Sequence, residues 1–115
     1  MNEDGSYTRG CGGIGLIWKR SIGGAPISGI GSDRICGMRL PLSSNHRVMS
    51  VFGVYLPCLD QGLEPFRECL QELEGLITES QLHGPVVVMG DFNAHLGSAG
   101  NREGMNSQGH LFREF

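Results

Sequence analysis

Val86 to Met89 is an unbroken apolar run, and it is followed at once by Gly90, Asp91, Phe92, Asn93 and His95. A carboxylate and a carboxamide two residues apart, released at the end of a hydrophobic stretch, suit phosphodiester chemistry. The acid can hold Mg²⁺ or align and deprotonate a water, and the neutral amide can orient that water or hydrogen-bond a phosphate oxygen without repelling it. If the run is a β-strand, the polar groups leave its carboxyl end, the edge at which functional groups collect in open α/β sheets. Strand alternation would send Asp91 and Asn93 to one side and turn Phe92 back toward the core. Gly-Asp and Asn are also common turn formers, so the spacing alone leaves a site and a plain turn both open.

The elements needed to position these groups can be read upstream. Leu63, Phe66, Leu70, Leu73 and Ile77 recur at spacings of three and four, which predicts an amphipathic helix from about 61 to 81. Asp60 is placed to cap it, Pro65 falls near its start, and Gly84 and Pro85 stop it. Before the helix, RICGMRLPL and HRVMSVFGVYLP flank Ser43, Ser44 and Asn45, so Arg34 to Leu56 reads as a β-hairpin. The second arm is apolar on both faces and should be a central strand. Strand, helix, strand in this order implies a crossover that sets the 86–89 strand parallel to a neighbour. Ile14, Leu16, Ile17 and Trp18 suggest a further short strand covered on both faces. Residues 21–33 read as a loop, residues 1–11 as a disordered or loop terminus, and the tail from Asn106 or Ser107 as a short helix.

The 115 residues, 39% hydrophobic and 18% charged, suit one domain with one core. A net charge of −3 exerts no general pull on polyanions, so affinity for nucleic acid would have to come from local basic groups or a metal. Arg34 and Lys19 are the cations that could meet such a backbone, against the commoner use of these residues as solvated surface charge. His46, His83, His95 and His110 read as exposed or loop residues. Cys11, Cys36, Cys58 and Cys69 form no C-x-x-C pair and read as small hydrophobes in or near strands. With no signal-like start after Met1 and no apolar run near the ~20 residues of a membrane span, the expectation is a soluble intracellular protein, nuclear or cytoplasmic, neither secreted nor membrane-bound. Nineteen glycines imply turns, bulges and close backbone approaches. Gly10, Gly12 and Gly15 match G-x-G-x-x-G, but that fingerprint needs a strand before it and a helix after it, and here a polar stretch precedes and a β-like run follows.

GDFNAHLG after VVVM, with GVYLP and GGIGLIWK upstream, resembles the endonuclease/exonuclease/phosphatase family, and most closely the apurinic-type endonuclease domain of non-LTR, LINE-like retrotransposons. The likeness runs from about Gly12 to the C-terminus. It implies an α/β sandwich, two packed β-sheets flanked by helices, of which residues 12–115 would be a part incomplete at both ends. It implies Mg²⁺ as cofactor and DNA, or another phosphodiester, as substrate, with the rest of a larger polyprotein as a partner. By the same likeness Asp91 acts in water activation near the metal, Asn93 orients or stabilises the reacting phosphate, and Tyr55 lies beside the scissile phosphate. The family's metal-binding Glu would precede Gly12, where Glu3 and Asp4 are poor substitutes, and its Ser-Asp-His element would follow Phe115. Only Asp91 then remains to hold the metal, and a phosphate-contacting donor worth about 2.7–4 kcal/mol is lost. The chain is accordingly expected to be inactive, or nearly so, as a hydrolase by itself. Two other readings keep the residues and change the role: a phosphatase or deadenylase of the same fold, and a non-catalytic remnant of a retroelement or partial gene.

Overall fold

The structure, a computed structural model, describes residues 13–43, 46–94 and Gly109, with the backbone alone for Leu59. A four-stranded mixed sheet in the order β1-β2-β3-β4 carries one long helix. The strands are β1 (Ala25–Pro26), β2 (Ile35–Pro41), β3 (Val48–Tyr55) and β4 (Val86–Asp91), and α1 spans Leu63–Gln81. β2 and β3 form the expected antiparallel hairpin, with Ile35 opposite Val54 and Pro41 opposite Val48. β3 is central, since its other side pairs in parallel with β4 from Ser50↔Val86 to Tyr55↔Asp91.

The core follows from the two periods. Phe52 and Val54 on β3 and Leu56 just beyond it, two apart, all face α1, where Phe66, Cys69, Leu70 and Leu73 close over them. Phe52, Val54, Leu56, Phe66 and Leu73 are fully buried, and removing each such side chain from water is worth about 1.5–3 kcal/mol. Ile77, Val86, Val88 and Phe92 pack around the rim of this cluster. α1 also ties down the segment before β2: the Glu72 carboxylate accepts the backbone N–H groups of Gly31 and Ser32 at 2.7 and 3.2 Å.

Several expectations are corrected. Residues 13–19 contain no strand, and Ile17 is wholly exposed. The segment lies against the sheet face away from α1, where Ile14 and Leu16 come against Gly53, whose missing side chain leaves them room. Ile14, Leu16 and Trp18 are held there by partial burial, without a ladder of hydrogen bonds, which is why a hydrophobic run reads as a strand and does not form one. Within 21–33, Ala25–Pro26 does pair with Met38 and Arg39 of β2, and Arg20–Ile22 is a single 3₁₀ turn. Asp60 does not cap α1; it lies in a 3₁₀ turn, Leu59–Gln61, and Gly62 is the cap residue, at φ 84° and with no side-chain bond. The unbroken apolar run suggests a buried strand at Val86–Met89, but β4 is only half-buried at Val86 and Val88, and Val87 and Met89 are 38% and 48% exposed. Cys69 sits on α1 rather than in or near a strand, whereas Cys36 is on β2. The expected tail helix falls outside the described residues apart from Gly109, which is helical.

Candidate functional site

β3 and β4 run in parallel and end together, so Tyr55 and Asp91, their last residues, are register partners on strands about 4.8 Å apart. Paired residues of parallel strands point to the same face, which here is the face away from α1. The chain does not simply continue its pleat beyond Asp91. Gly90 has φ 143°, and a Cβ there would overlap the Val54 carbonyl oxygen. A residue with a side chain cannot bring β4 this close to β3, so the glycine before the acid is a packing requirement.

Two residues later Asn93 takes φ 46°, the left-handed region that asparagine tolerates better than most residues. Its N–H donates to Asp91 Oδ1 at 3.0 Å, and its Nδ2 donates to the Leu56 carbonyl at 2.6 Å. Leu56 N–H in turn donates to the Asp91 carbonyl at 2.9 Å. The acid and the amide are thus joined to each other and to the end of β3, although Asn93 arrives by a turn rather than by strand alternation. Phe92, between them, packs against the core. Asp91 is exposed, and Tyr55 and Asn93 are half-buried.

What remains free decides what the cluster can do. One Asp91 oxygen accepts the Asn93 N–H, and among the described residues the other accepts no hydrogen bond. Among the described residues Asn93 keeps its Oδ1 and a second Nδ2 hydrogen uncommitted. The described residues contain no group of three or more His, Cys, Asp or Glu side chains able to hold a metal. Asp91 could therefore contribute one carboxylate to a hard cation, which would need substrate oxygens and water for the rest of its shell.

Arg34 completes the setting. Its Nη1 donates to the Tyr55 carbonyl at 3.2 Å, its Nη2 to Gln61 Oε1 at 3.0 Å, and its guanidinium carbon lies 5.5 Å from the centre of the Tyr55 ring. The Arg34 carbonyl also accepts the Tyr55 N–H at 2.9 Å. The sequence names Arg34 as a charge that could face solvent or nucleic acid; its grip on Tyr55 is a tertiary fact. Lys19, the other cation considered, is exposed and remote from this ladder in sequence. Beside Gln61, the Cys58 thiol is held above its ordinary value first by its hydrogen bond to the Asp60 carboxylate and then by burial, so it is a neutral donor rather than a nucleophile.

His46 and His83 are exposed and stand away from the carboxyl ends of β3 and β4; His95 and His110 lie outside the described residues, as do Cys11 and Gly10 and Gly12 of the glycine-rich stretch. No family model, curated protein or solved structure matches the chain. The fold is of the α/β type, a mixed sheet with one crossover helix, and no helix among the described residues is long and apolar enough to cross a membrane.

Proposed function

We propose that the chain is part of a Mg²⁺-dependent phosphodiesterase of the endonuclease/exonuclease/phosphatase type that nicks DNA by metal-assisted hydrolysis. One observation carries this reading: an acid, an amide and a tyrosine, at positions named from the sequence, sit at the carboxyl ends of two adjacent parallel strands. In that role Asp91 holds the cation through its free oxygen, or takes the proton of the attacking water as the water oxygen bonds to phosphorus and the ester P–O bond breaks. Asn93, anchored through Nδ2 on the Leu56 carbonyl, presents its remaining amide groups in a fixed direction, which is the condition for useful charge stabilisation. Tyr55 flanks the phosphate from β3. Asp91 would help to hold Mg²⁺, which when bound would supply Lewis-acid polarisation of the phosphate.

The sheet face away from α1 supports the accompanying proposal of a two-sheet sandwich. Met38, Leu40, Met49, Val51, Val87 and Met89 make it continuously apolar, and with Leu16, Trp18 and Ile22 they line a groove of about 320 Å³. A second sheet laid there would bury what the described residues leave open.

The test is a titration of the isotopically labelled chain with MgCl₂ and then a short DNA duplex, followed through the backbone resonances of Tyr55, Asp91 and Asn93. The proposal expects these three to move first and together. Silence at all three up to high millimolar Mg²⁺ and saturating duplex would point instead to a non-catalytic remnant. A response to a phosphomonoester but not to the duplex would move the reading to a phosphatase. Plasmid nicking by the purified chain, expected to be absent or marginal, would if present and abolished by Asp91→Ala show that the chain needs no further catalytic groups.

A further inference from the structure

We propose that Arg34 is the phosphate-recognising cation of this site, a role that rests on the phosphodiesterase reading and adds to it the residue that meets the substrate's charge. Among the described residues the ion pair that forms is Arg67 with Glu64 at 3.2 Å, one helical turn apart on the surface of α1. Arg34 combines three features. It is half-buried, it is held in a fixed pose, and among the described residues no carboxylate lies within ion-pair distance of it. Its hydrogen-bond acceptors, the Tyr55 carbonyl and the Gln61 amide, are both neutral, and its face rests near the Tyr55 ring.

This arrangement spends little of the guanidinium's charge. Neutral acceptors and an aromatic ring orient the group without cancelling it, and a guanidinium has five N–H donors, of which only two are committed here. The planar fork that remains matches a phosphate. Position agrees with this chemistry, because Arg34 is clasped to Tyr55, whose strand partner is Asp91. Acidic groups do lie on its other side: Asp33, Glu68 and Glu72 line with it a cleft of about 310 Å³ under α1. Glu72, however, is committed to the backbone of Gly31 and Ser32. A structural Arg placed to hold α1 would be expected to pair with one of these acids. Arg34 instead turns to the β3 end.

The need for such a group follows from net charge. A chain at −3 with an exposed carboxylate at its site repels a polyanion unless a local cation offsets the repulsion. One guanidinium in direct phosphate contact should weaken binding about tenfold when removed and should lower the slope of log affinity against log salt by about one.

The experiment compares the whole chain with Arg34→Ala and Arg34→Lys, titrating a short DNA duplex at several NaCl concentrations while following the Asp91 and Asn93 amides. The assignment expects weaker binding and a shallower salt slope in Arg34→Ala. In Arg34→Lys, which keeps the charge and loses the fork, it expects an intermediate affinity and a retained slope. Equal affinity and slope in Arg34→Ala and wild type, with the Asp91 and Asn93 amides still responding, would overturn the role of Arg34 and leave the site standing. Failure of the wild-type chain to respond at all would overturn both. If Arg34→Ala does not fold, the Nε–H resonance of Arg34 in the wild-type chain decides: it moves with the titration if the guanidinium meets phosphate, and its standing still overturns the assignment.

Discussion

Asn93 and Gly90 show how narrowly the end of β4 is specified. Asn93 combines a left-handed backbone with a side-chain hydrogen bond of 2.6 Å to the Leu56 carbonyl. Replacing it with Ala removes the bond and leaves a strained φ, for an expected loss of about 1–3 kcal/mol. Asn93→Gly relieves the strain but not the missing bond and should fall between the two in urea unfolding. Equal midpoints for the Ala and Gly variants would show that the backbone conformation contributes nothing. At Gly90 the obstacle is steric, since any Cβ meets the Val54 carbonyl oxygen. Gly90→Ala should therefore separate β4 from β3 and be read as lost hydrogen-exchange protection along Val86–Asp91; intact protection would mean that the strands can shift apart at no cost.

At the scale of elements, α1 is held by its apolar face and by Glu72. Leu73 is fully buried against Phe52 and its neighbours, and Leu73→Ala should cost about 2–5 kcal/mol, depending on how far the cavity collapses. Glu72→Ala should cost less, about 1.5–3 kcal/mol, as a charged acceptor lost from two backbone donors. Its signature would be local: faster amide exchange at Gly31 and Ser32 with α1 intact. Cys69, on the same face, has its thiol pushed up mainly by burial. A raised folded-state value means that the native chain holds the proton more tightly than the unfolded chain. The stabilisation is therefore complete below the ordinary thiol range and is lost as pH rises through the folded value. The stability difference between wild type and Cys69→Ala should shrink with rising pH across that window; a constant difference would mean that the thiol does not titrate during unfolding.

For the whole molecule, the notable property is asymmetry between the two faces of the sheet. One face is closed by α1, while on the other Val87 and Met89 stay 38% and 48% exposed above a methionine-rich groove. Apolar area of this kind favours association. Val87→Thr combined with Met89→Lys should reduce concentration-dependent self-association, seen by light scattering, while changing stability by no more than about 0.5 kcal/mol. A large loss of stability would show instead that these side chains are already part of the core.

The sequence by itself determined the hairpin, the helix, the parallel strand and the central place of β3, because each rests on a repeat of two or of three to four residues that burial enforces locally. It also named Tyr55, Asp91 and Asn93 as residues to watch. It misjudged Ile14–Trp18, where a hydrophobic run lies on a sheet without joining it, and it placed the helix cap at Asp60, which the turn before α1 uses otherwise. Only the tertiary structure decided that Tyr55 and Asp91 are partners, that Asn93 turns its amide onto β3, and that Arg34 grips the tyrosine across 21 positions of sequence. The physical reason is that register and side-chain hydrogen bonds depend on which strands meet. Periodicity reports which face of an element is buried but not what lies beside its end.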